Sequence, residues 1–284
     1  MTTNVQKVGD ALYSLRDKLE DVKELNTIPF KLGCIGDEPD NRDYQISSIL
    51  SNRYSVKESI DYSSEMSPIK DQGNKPSCVG FAIASVLEWQ QLKEYLNENN
   101  QYIRNIEHYD LSEQWIYHNA KEIDSWDGGG TSIRHGLKIV HNKGVPKEEG
   151  WPYSDQEIGK PKFWAYSTSR WNKNKKYYRI NSVDEIKKTL REVGPCVIGL
   201  IVFYEFFYPN SDGVISYPED TNKYYGGHAV PIIGDYPDKE LFKIKNSWGT
   251  NWGNNGYGYL PYKYIEDFML DAWVTIDADV KKIY

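Results

Sequence analysis

The sequence feature that most constrains the fold is a loop that runs directly into a helix at residues 72–82, QGNKPSCVGFA. The glycine, asparagine and proline in its first half are turn-forming residues, and the apolar residues after it recur at three- and four-residue steps, which predicts a helix. Ser77 suits the N-cap position, so that Cys78 falls on the first helical turn. The free amide donors and the dipole at a helix start favour negative charge, and they therefore favour a thiolate at Cys78.

A cysteine nucleophile needs a base close by and a group that orients the base. Two later segments offer both, because His228 begins a β-rich run in YGGHAV and Asn246 ends another in KNSWG. Cys78, His228 and Asn246 in this chain order, with Gln72 six residues before the cysteine, resemble the papain family of cysteine proteases. The resemblance extends from about residue 59 to the C-terminus.

The resemblance implies a role for each residue of this set. Cys78 would attack a peptide carbonyl, His228 would take up and return the proton, and Asn246 would hold the imidazole ring. Gln72 would donate its amide to the oxyanion together with the backbone N–H of Cys78, and one such donor is typically worth ~2.7–4 kcal/mol of transition-state stabilisation. Trp248 would shield the bond between His228 and Asn246 from water. Each residue also has a structural alternative. Cys78 would be a small buried residue and His228 a core histidine. Asn246 would be a strand-end cap, Gln72 a loop residue and Trp248 a core aromatic.

Residues of the predicted substrate-binding site lie between the cysteine and the histidine, or next to the histidine. Gly129 and Gly130 resemble the pair whose backbone pairs with an extended peptide, and glycine allows such a close approach. A flexible turn is the alternative for both. We expect Thr131, Ser132 and Ala229 to line the pocket for the second residue before the scissile bond. Trp248 is also expected to take part in substrate binding.

The order of predicted elements indicates an α+β protein, because helices dominate the first half and strands the second. Strands are predicted at 196–203, 213–217, 228–234, 241–246, 257–260 and 272–276. The resemblance implies a papain-like two-lobed fold, with a helical left lobe, a β-barrel-like right lobe and the active-site cleft between them. The corresponding domains are an N-terminal extension at 1–58 and a catalytic domain at 59–284, with the helical lobe at about 72–178 and the β lobe at about 179–284.

The N-terminal extension contains an apolar stripe that predicts an amphipathic helix at residues 5–25. Such a stripe shows that one face is buried, but not against what. Two hypotheses follow: the helix packs on the outside of the domain, or the extension is a pro-segment that covers the cleft and inhibits the enzyme.

Composition narrows the class of partner and the compartment. The formal net charge of −7 argues against a general nucleic-acid or anionic-membrane surface. No secretory signal and no run long enough to span a membrane is visible. Cys34, Cys78 and Cys196 do not form a disulfide framework, and Lys75 stands where secreted relatives carry a cysteine. We therefore expect a cytoplasmic protein, or one exported without a classical signal peptide.

No metal or cofactor is expected. The four other histidines have no metal-like spacing with cysteines or carboxylates, and neither a phosphate loop nor a dinucleotide fingerprint is present. We expect a monomer.

The set as a whole predicts a cysteine endopeptidase that hydrolyses protein or peptide substrates through a thioester acyl-enzyme. Two alternatives use the same fold: a non-catalytic peptide-binding protein, and an acyl transferase with the same nucleophile. Reaction with a thiol-directed inhibitor separates the first alternative from an enzyme, and product analysis with an added amine separates the second.

Overall fold

The computed structural model describes residues 28–51, 57–99 and 109–276. The helix predicted at residues 5–25 lies outside them. The α-helices are α1 (Cys78–Asn99), α2 (Glu113–Lys121), α3 (Ile133–Lys143), α4 (Ala165–Thr168), α5 (Val183–Glu192), α6 (Tyr204–Phe207) and α7 (Tyr262–Phe268). The strands are β1 (Ile60–Asp61), β2 (Lys176–Ile180), β3 (Cys196–Phe203), β4 (Tyr224–Tyr236), β5 (Leu241–Lys245), β6 (Tyr257–Pro261) and β7 (Met269–Ile276). Short 3-10 helices lie at Ile46–Ser48, Ser63–Glu65, Glu148–Gly150, Ser169–Trp171 and Pro237–Lys239.

The strands form one antiparallel sheet in the order β2-β7-β3-β4-β5-β6, with β1 paired to β4. This confirms the α+β class but corrects the barrel-like description of the second half, because β2 and β6 end the sheet without pairing within the described residues. Irregular segments cover both edges instead. Gln45 forms a bridge to Arg179 of β2, and Val214 forms one to Tyr259 of β6. The strand predicted at 213–217 is therefore wrong, since only this single bridge forms there.

Serine residues begin three of the helices. The side chains of Ser112, Ser132 and Ser182 accept hydrogen bonds from backbone N–H groups in the first turns of α2, α3 and α5, which satisfies donors that a helix start leaves free. Ser112 caps α2, whereas Asp110, two residues earlier, binds the Lys70 ammonium.

Helix α1 is buried from its start at Cys78 to Gln90. It packs against α2 and α3 on one side and against β4 on the other, so the predicted helix is central to the fold. One apolar cluster surrounds α1 to α3, and a second fills the space between the sheet and helices α5 and α7. The start of α1 therefore meets β4 where the two clusters adjoin.

None of the helices in the described residues is both long enough and apolar enough to cross a membrane.

Candidate active site

Cys78 lies on the first turn of α1, and its side chain is fully buried. Burial raises the pKa of its thiol to about 11, although backbone hydrogen bonds from Ala229, Gly33, Val79 and Cys78 itself favour the thiolate. The thiolate expected from the helix start is therefore not the favoured form at neutral pH in this conformation. Desolvation of the charged form outweighs the effect of the amide donors.

His228 lies on β4, where it is opposite Leu200 of β3. Its Nε2 lies 2.8 Å from Asn246 Oδ1, and the same oxygen accepts the Ser247 backbone N–H at 2.8 Å. Since Oδ1 is the acceptor in both contacts, Nε2 carries the proton and donates. Nδ1 is then the free basic nitrogen of the neutral ring, and it has no hydrogen-bond partner in the described part of the chain. Burial lowers the pKa of His228 to about 4, against the opposing effect of Asn246.

Aromatic side chains enclose this histidine. Trp248 stacks on the imidazole with 4.4 Å between ring centroids, and Phe206 contacts the ring at 5.9 Å in an edge arrangement. Trp248 also stacks on Phe30, again at 4.4 Å. The hydrogen bond between His228 and Asn246 thus lies in an environment from which water is largely excluded.

Gln72 is fully buried, and three groups hold its side chain in place. Its Oε1 accepts from Ser247 Oγ at 2.7 Å, and its Nε2 donates to the backbone carbonyls of Lys31 at 3.1 Å and Lys75 at 2.9 Å. Ser247 was not predicted as part of the site, although its place directly after Asn246 is the one signal for it. This serine orients the glutamine amide, while its backbone N–H orients the asparagine.

The structure does not bring Cys78 and His228 into direct hydrogen-bond contact within the described residues. Ala229, the residue after the histidine, lies close enough to the sulfur for its backbone to favour the thiolate. Thiol and imidazole are both in their neutral forms, and no ion pair forms between them.

Residues 30–37, here called the cleft segment, pass across the nucleophile. The backbone N–H groups of Gly33 and Cys34 donate to Gly227 O at 3.0 and 2.9 Å. On the opposite side, Thr131 N donates to Gly33 O at 2.9 Å and Ile35 N donates to Thr131 O at 3.1 Å. An extended piece of the N-terminal extension is therefore held between the two halves of the molecule, directly over Cys78.

The glycine pair lies beside this segment without pairing to it. Gly129 O accepts from the Tyr117 hydroxyl, and Gly130 O accepts from Lys121 Nζ at 2.9 Å. A Cβ built on Gly130 would lie 2.6 Å from Gly33 O, so this glycine permits the close approach that the sequence suggested. The backbone that pairs with the segment is that of Thr131, one residue further along the chain.

All three cysteines are free, so no disulfide holds residues 72–78. Lys75 links this active-site loop to the helical half. Lys75 Nζ donates to Gln114 Oε1 at 2.9 Å and to the Ser154 carbonyl, and it lies 5.1 Å from the centroid of the Tyr153 ring. A charge-assisted contact thus ties residues 72–78 to neighbouring segments.

Replacing Lys75 with methionine should lower the free energy of unfolding by about 1–3 kcal/mol, because the two acceptors lose a charged donor in a buried site. For a domain of this size the midpoint of thermal unfolding should fall by roughly 2–4 °C per kcal/mol. Lys160→Met, at an exposed position, is the matched control and should leave the midpoint unchanged. Equal midpoints for both variants would show that the Lys75 contacts do not stabilise the fold.

One group of carboxylates has metal-like geometry. Oxygen atoms of Glu88, Asp110 and Glu113 lie within 4.8 Å of one another. Lys70 Nζ already contacts all three, at 2.9 Å from Glu88 and 2.6 Å from Asp110. The ammonium group takes the place that a cation would need, and the group is explained as a buried ion-pair network.

Comparison with known proteins places this geometry in a family. A sequence model described as papain family cysteine protease matches residues 56–268. An uncharacterized peptidase C1-like protein of Acanthamoeba polyphaga mimivirus is 29% identical over 284 aligned residues that cover 88% of each chain. Cathepsin K of Mus musculus is 28% identical over 236 residues, which cover 78% of this chain but 65% of cathepsin K.

Solved structures show the same fold. Xylellain, a cysteine protease from Xylella fastidiosa, aligns with a TM-score of 0.72 at 27% identity, covering 88% of this chain and 97% of that chain. Digestive procathepsin L 3 of the Tenebrio molitor larval midgut aligns with a TM-score of 0.63 at 18% identity, covering 96% of this chain and 91% of that chain. The second likeness concerns the fold alone.

The predicted papain-like α+β fold is therefore confirmed, with an open sheet. The division into an extension at 1–58 and a catalytic domain at 59–284 stays a prediction, as does the monomeric state. Because the family match covers most of the chain and the solved relatives share its fold, the chain belongs to the papain family of cysteine proteases, hydrolases that act on protein or peptide substrates.

Proposed function

We propose that this protein is a cysteine endopeptidase in which Cys78 is the nucleophile, His228 the general base and acid, Asn246 the group that orients the imidazole, and Gln72 an oxyanion donor. The observation that carries the proposal is the hydrogen bond of 2.8 Å between His228 Nε2 and Asn246 Oδ1. It leaves Nδ1 unprotonated and without a hydrogen-bond partner among the described residues.

The reaction follows from these positions. The thiol proton passes to His228 Nδ1 as the sulfur attacks the peptide carbonyl, and the imidazolium then protonates the leaving amine. The carbonyl carbon remains bound to sulfur as a thioester. A water molecule, deprotonated by the same nitrogen, attacks the thioester and releases the acid and the thiol. Asn246 keeps the ring in the tautomer that both steps require.

The oxyanion donor is supported by a contact in the closed conformation. Gln72 Nε2 donates to the Lys31 carbonyl, so its amide is already directed at a backbone carbonyl of a peptide lying over Cys78. In a productive complex the same N–H would face the carbonyl oxygen that becomes negative. The bond from Ser247 Oγ to Gln72 Oε1 fixes the amide orientation that this role needs.

We further infer that the cleft segment keeps the enzyme inactive. It covers the fully buried thiol, and it satisfies backbone groups of Thr131 and Gly227 that an extended substrate could use. The high pKa of Cys78 and the low pKa of His228 have the same origin, since burial disfavours the charged form of each group. Departure of the segment would admit solvent and allow the ion pair to form.

The proposal is tested by mass spectrometry after incubation of the full chain, and of a variant with an opened cleft, with a peptidyl epoxide. We expect an adduct on Cys78 and none on Cys34 or Cys196, with faster labelling of the opened variant between pH 6 and 8. In the closed form, alkylation of Cys78 by iodoacetamide should be slow at neutral pH, because the thiol is buried and burial raises its pKa, and only the thiolate reacts. A lack of adduct in both forms would favour a non-catalytic binding protein.

A further inference from the structure

The three most exposed large apolar side chains of the described residues lie close together in the chain. Phe163, Tyr166 and Trp171 are 89%, 64% and 76% exposed. Single exposed aromatic residues are common on soluble proteins, but a group of them is typical of a surface that binds a partner. A solvated loop, the structural alternative, gains nothing from three aromatic rings in water.

Two short helices turn these residues to a common side. Helix α4 continues directly into a 3-10 helix, and Phe163, Tyr166 and Arg170 recur here at steps of three and four residues, all of them exposed. Ala165 and Ser169 lie on the opposite side and are buried, and Ser169 Oγ donates to the last carbonyl of α3 at 2.9 Å. These contacts hold the two turns on the helical half and leave the aromatic side in solvent.

The same stretch is basic in an otherwise acidic protein. Residues 158–183 contain seven lysine and arginine residues and no aspartate or glutamate, although acids outnumber bases by 41 to 34 in the whole chain. Lys162, Arg170 and Lys173 are exposed, and none of them forms an ion pair with another described residue. Their charges are therefore available to an anionic partner.

A short stretch of chain joins this surface to the active-site loop. Asp155 Oδ2 accepts the backbone N–H of Asn74, in the loop that precedes Cys78, at 3.1 Å. Seven residues further on, Lys162 N donates to the Gly150 carbonyl at 2.8 Å. Residues 155–162 span at most about 25 Å even when fully extended. The flanking residues of a protein substrate bound at Cys78 can therefore reach the surface.

We propose that this surface binds acidic segments of protein substrates outside the cleft. We call it the basic aromatic face, and it consists of Lys162, Phe163, Tyr166, Arg170, Trp171 and Lys173. The proposal rests on the proposed function, since it names a substrate class for the same enzyme. Tryptophan, tyrosine and arginine are the residue types that carry most of the binding energy in protein interfaces. Carboxylates of the segment would pair with the three cations, and its apolar side chains would pack on the aromatic rings.

An acidic peptide segment fits the basic aromatic face better than a membrane does. A bilayer is a broad plane, so its anionic headgroups would also approach the acidic remainder of the protein. A peptide segment is narrow enough to meet the basic aromatic face alone, because charges further away than a Debye length of about 8 Å are largely screened at physiological salt. The net charge of −7 thus opposes a membrane more than it opposes a peptide.

The direct test measures binding of a fluorescent peptide of glutamate, glycine and leucine by anisotropy. The full chain carries Cys78→Ala, so that the probe is not cleaved. We expect Arg170→Gln with Lys173→Gln to raise Kd roughly fivefold or more, and added salt to weaken binding. Lys223→Gln with Lys239→Gln removes the same charge at exposed positions of the β half and is the matched control. Trp171→Ser should also weaken binding, since the rings contribute beside the charges.

Three results would overturn the basic aromatic face as a peptide site. They are equal affinity of the two double variants, equal affinity for a peptide with glutamine in place of glutamate, and an unchanged Kd in Trp171→Ser. Tighter binding to vesicles of phosphatidylserine than to the peptide, lost in the same variants, would assign the face to a membrane instead.

A kinetic test links the basic aromatic face to hydrolysis. It uses the full chain with Gly33→Ala, which is expected to open the cleft because an added Cβ would meet the Pro76 carbonyl. A fluorogenic peptide with a glutamate-rich tail on a flexible linker should have a KM roughly tenfold lower than the peptide without the tail, at unchanged kcat. Arg170→Gln with Lys173→Gln should remove this difference and leave hydrolysis of the untailed peptide unchanged.

The outcomes separate the two proposals. No hydrolysis of either peptide and no adduct on Cys78 would overturn the proposed function, while the binding measurement would still report on the face. Hydrolysis of both peptides with equal KM, at every linker length and on either end of the peptide, would overturn the substrate class alone.

Discussion

Replacing Gly33 with alanine in the full chain should raise peptide hydrolysis roughly ten- to hundredfold. A Cβ at this position would lie 2.5 Å from the carbonyl carbon of Pro76 and 2.8 Å from its Cβ, and closer still to its carbonyl oxygen. The obstacle is mostly backbone, so it cannot move aside as a flexible side chain would. Overpacking of this kind costs about 1–3 kcal/mol, and every 1.4 kcal/mol changes an equilibrium about tenfold. The added methyl group therefore shifts the chain from the closed to the open arrangement.

Gly36 supplies the matched control for this prediction. A Cβ there would meet only the Leu270 side chain, at 3.7 Å, which is an ordinary contact. Gly36→Ala should thus behave as the unaltered chain when kcat/KM is measured with a fluorogenic peptide. Equal activity of all three proteins would show that the cleft segment does not limit access, and activation of both variants would point to a general loosening of the extension.

The class of fold and the elements that carry the site could be predicted because they depend on local patterns. Turn residues, apolar periodicity and β-branched runs predict helix α1 with its start at Cys78, the strand with His228 and the strand that ends directly before Asn246. Strand β3 has the predicted bounds of 196–203. Each of these elements is long enough, or apolar enough, to be recognised without its partners.

Elements defined by their partners could not be predicted. Strand β1 has two residues and forms only because β4 offers an edge. The segment at 213–217 has a strand-like composition, yet it makes a single bridge to β6 because its other backbone groups find no neighbouring strand. An open sheet differs from a barrel in whether its last edges meet, which is a property of the whole sheet.

The electrostatics of the site depend on burial, which the sequence does not contain. The helix start at Cys78 favours a thiolate, as expected, but burial of the side chain raises the pKa of the thiol to about 11. Ser247 was missed for a related reason, since its role depends on the position of Gln72, a residue far away in sequence.

The largest expected effect belongs to Cys78 itself. In the chain opened by Gly33→Ala, Cys78→Ala should lower kcat/KM by at least about 10⁴-fold, because no other group can form the thioester. His228→Ala should cause a loss of similar size, and the double variant should lose no more than either single variant, since the two residues act as one unit.

Cys196→Ala separates loss of chemistry from loss of structure. Cys196 is a fully buried thiol on β3, and burial raises its pKa to about 12. Its removal makes a small cavity in the sheet core and should lower the unfolding midpoint without abolishing hydrolysis. If Cys196→Ala were as inactive as Cys78→Ala, the losses would reflect misfolding. The opposite result is that Cys78→Ala retains the activity of its parent while the epoxide adduct forms on another residue. In that case the other residue would be the nucleophile. Cys78 would then be a core side chain, and the cleft segment above it would have no inhibitory role.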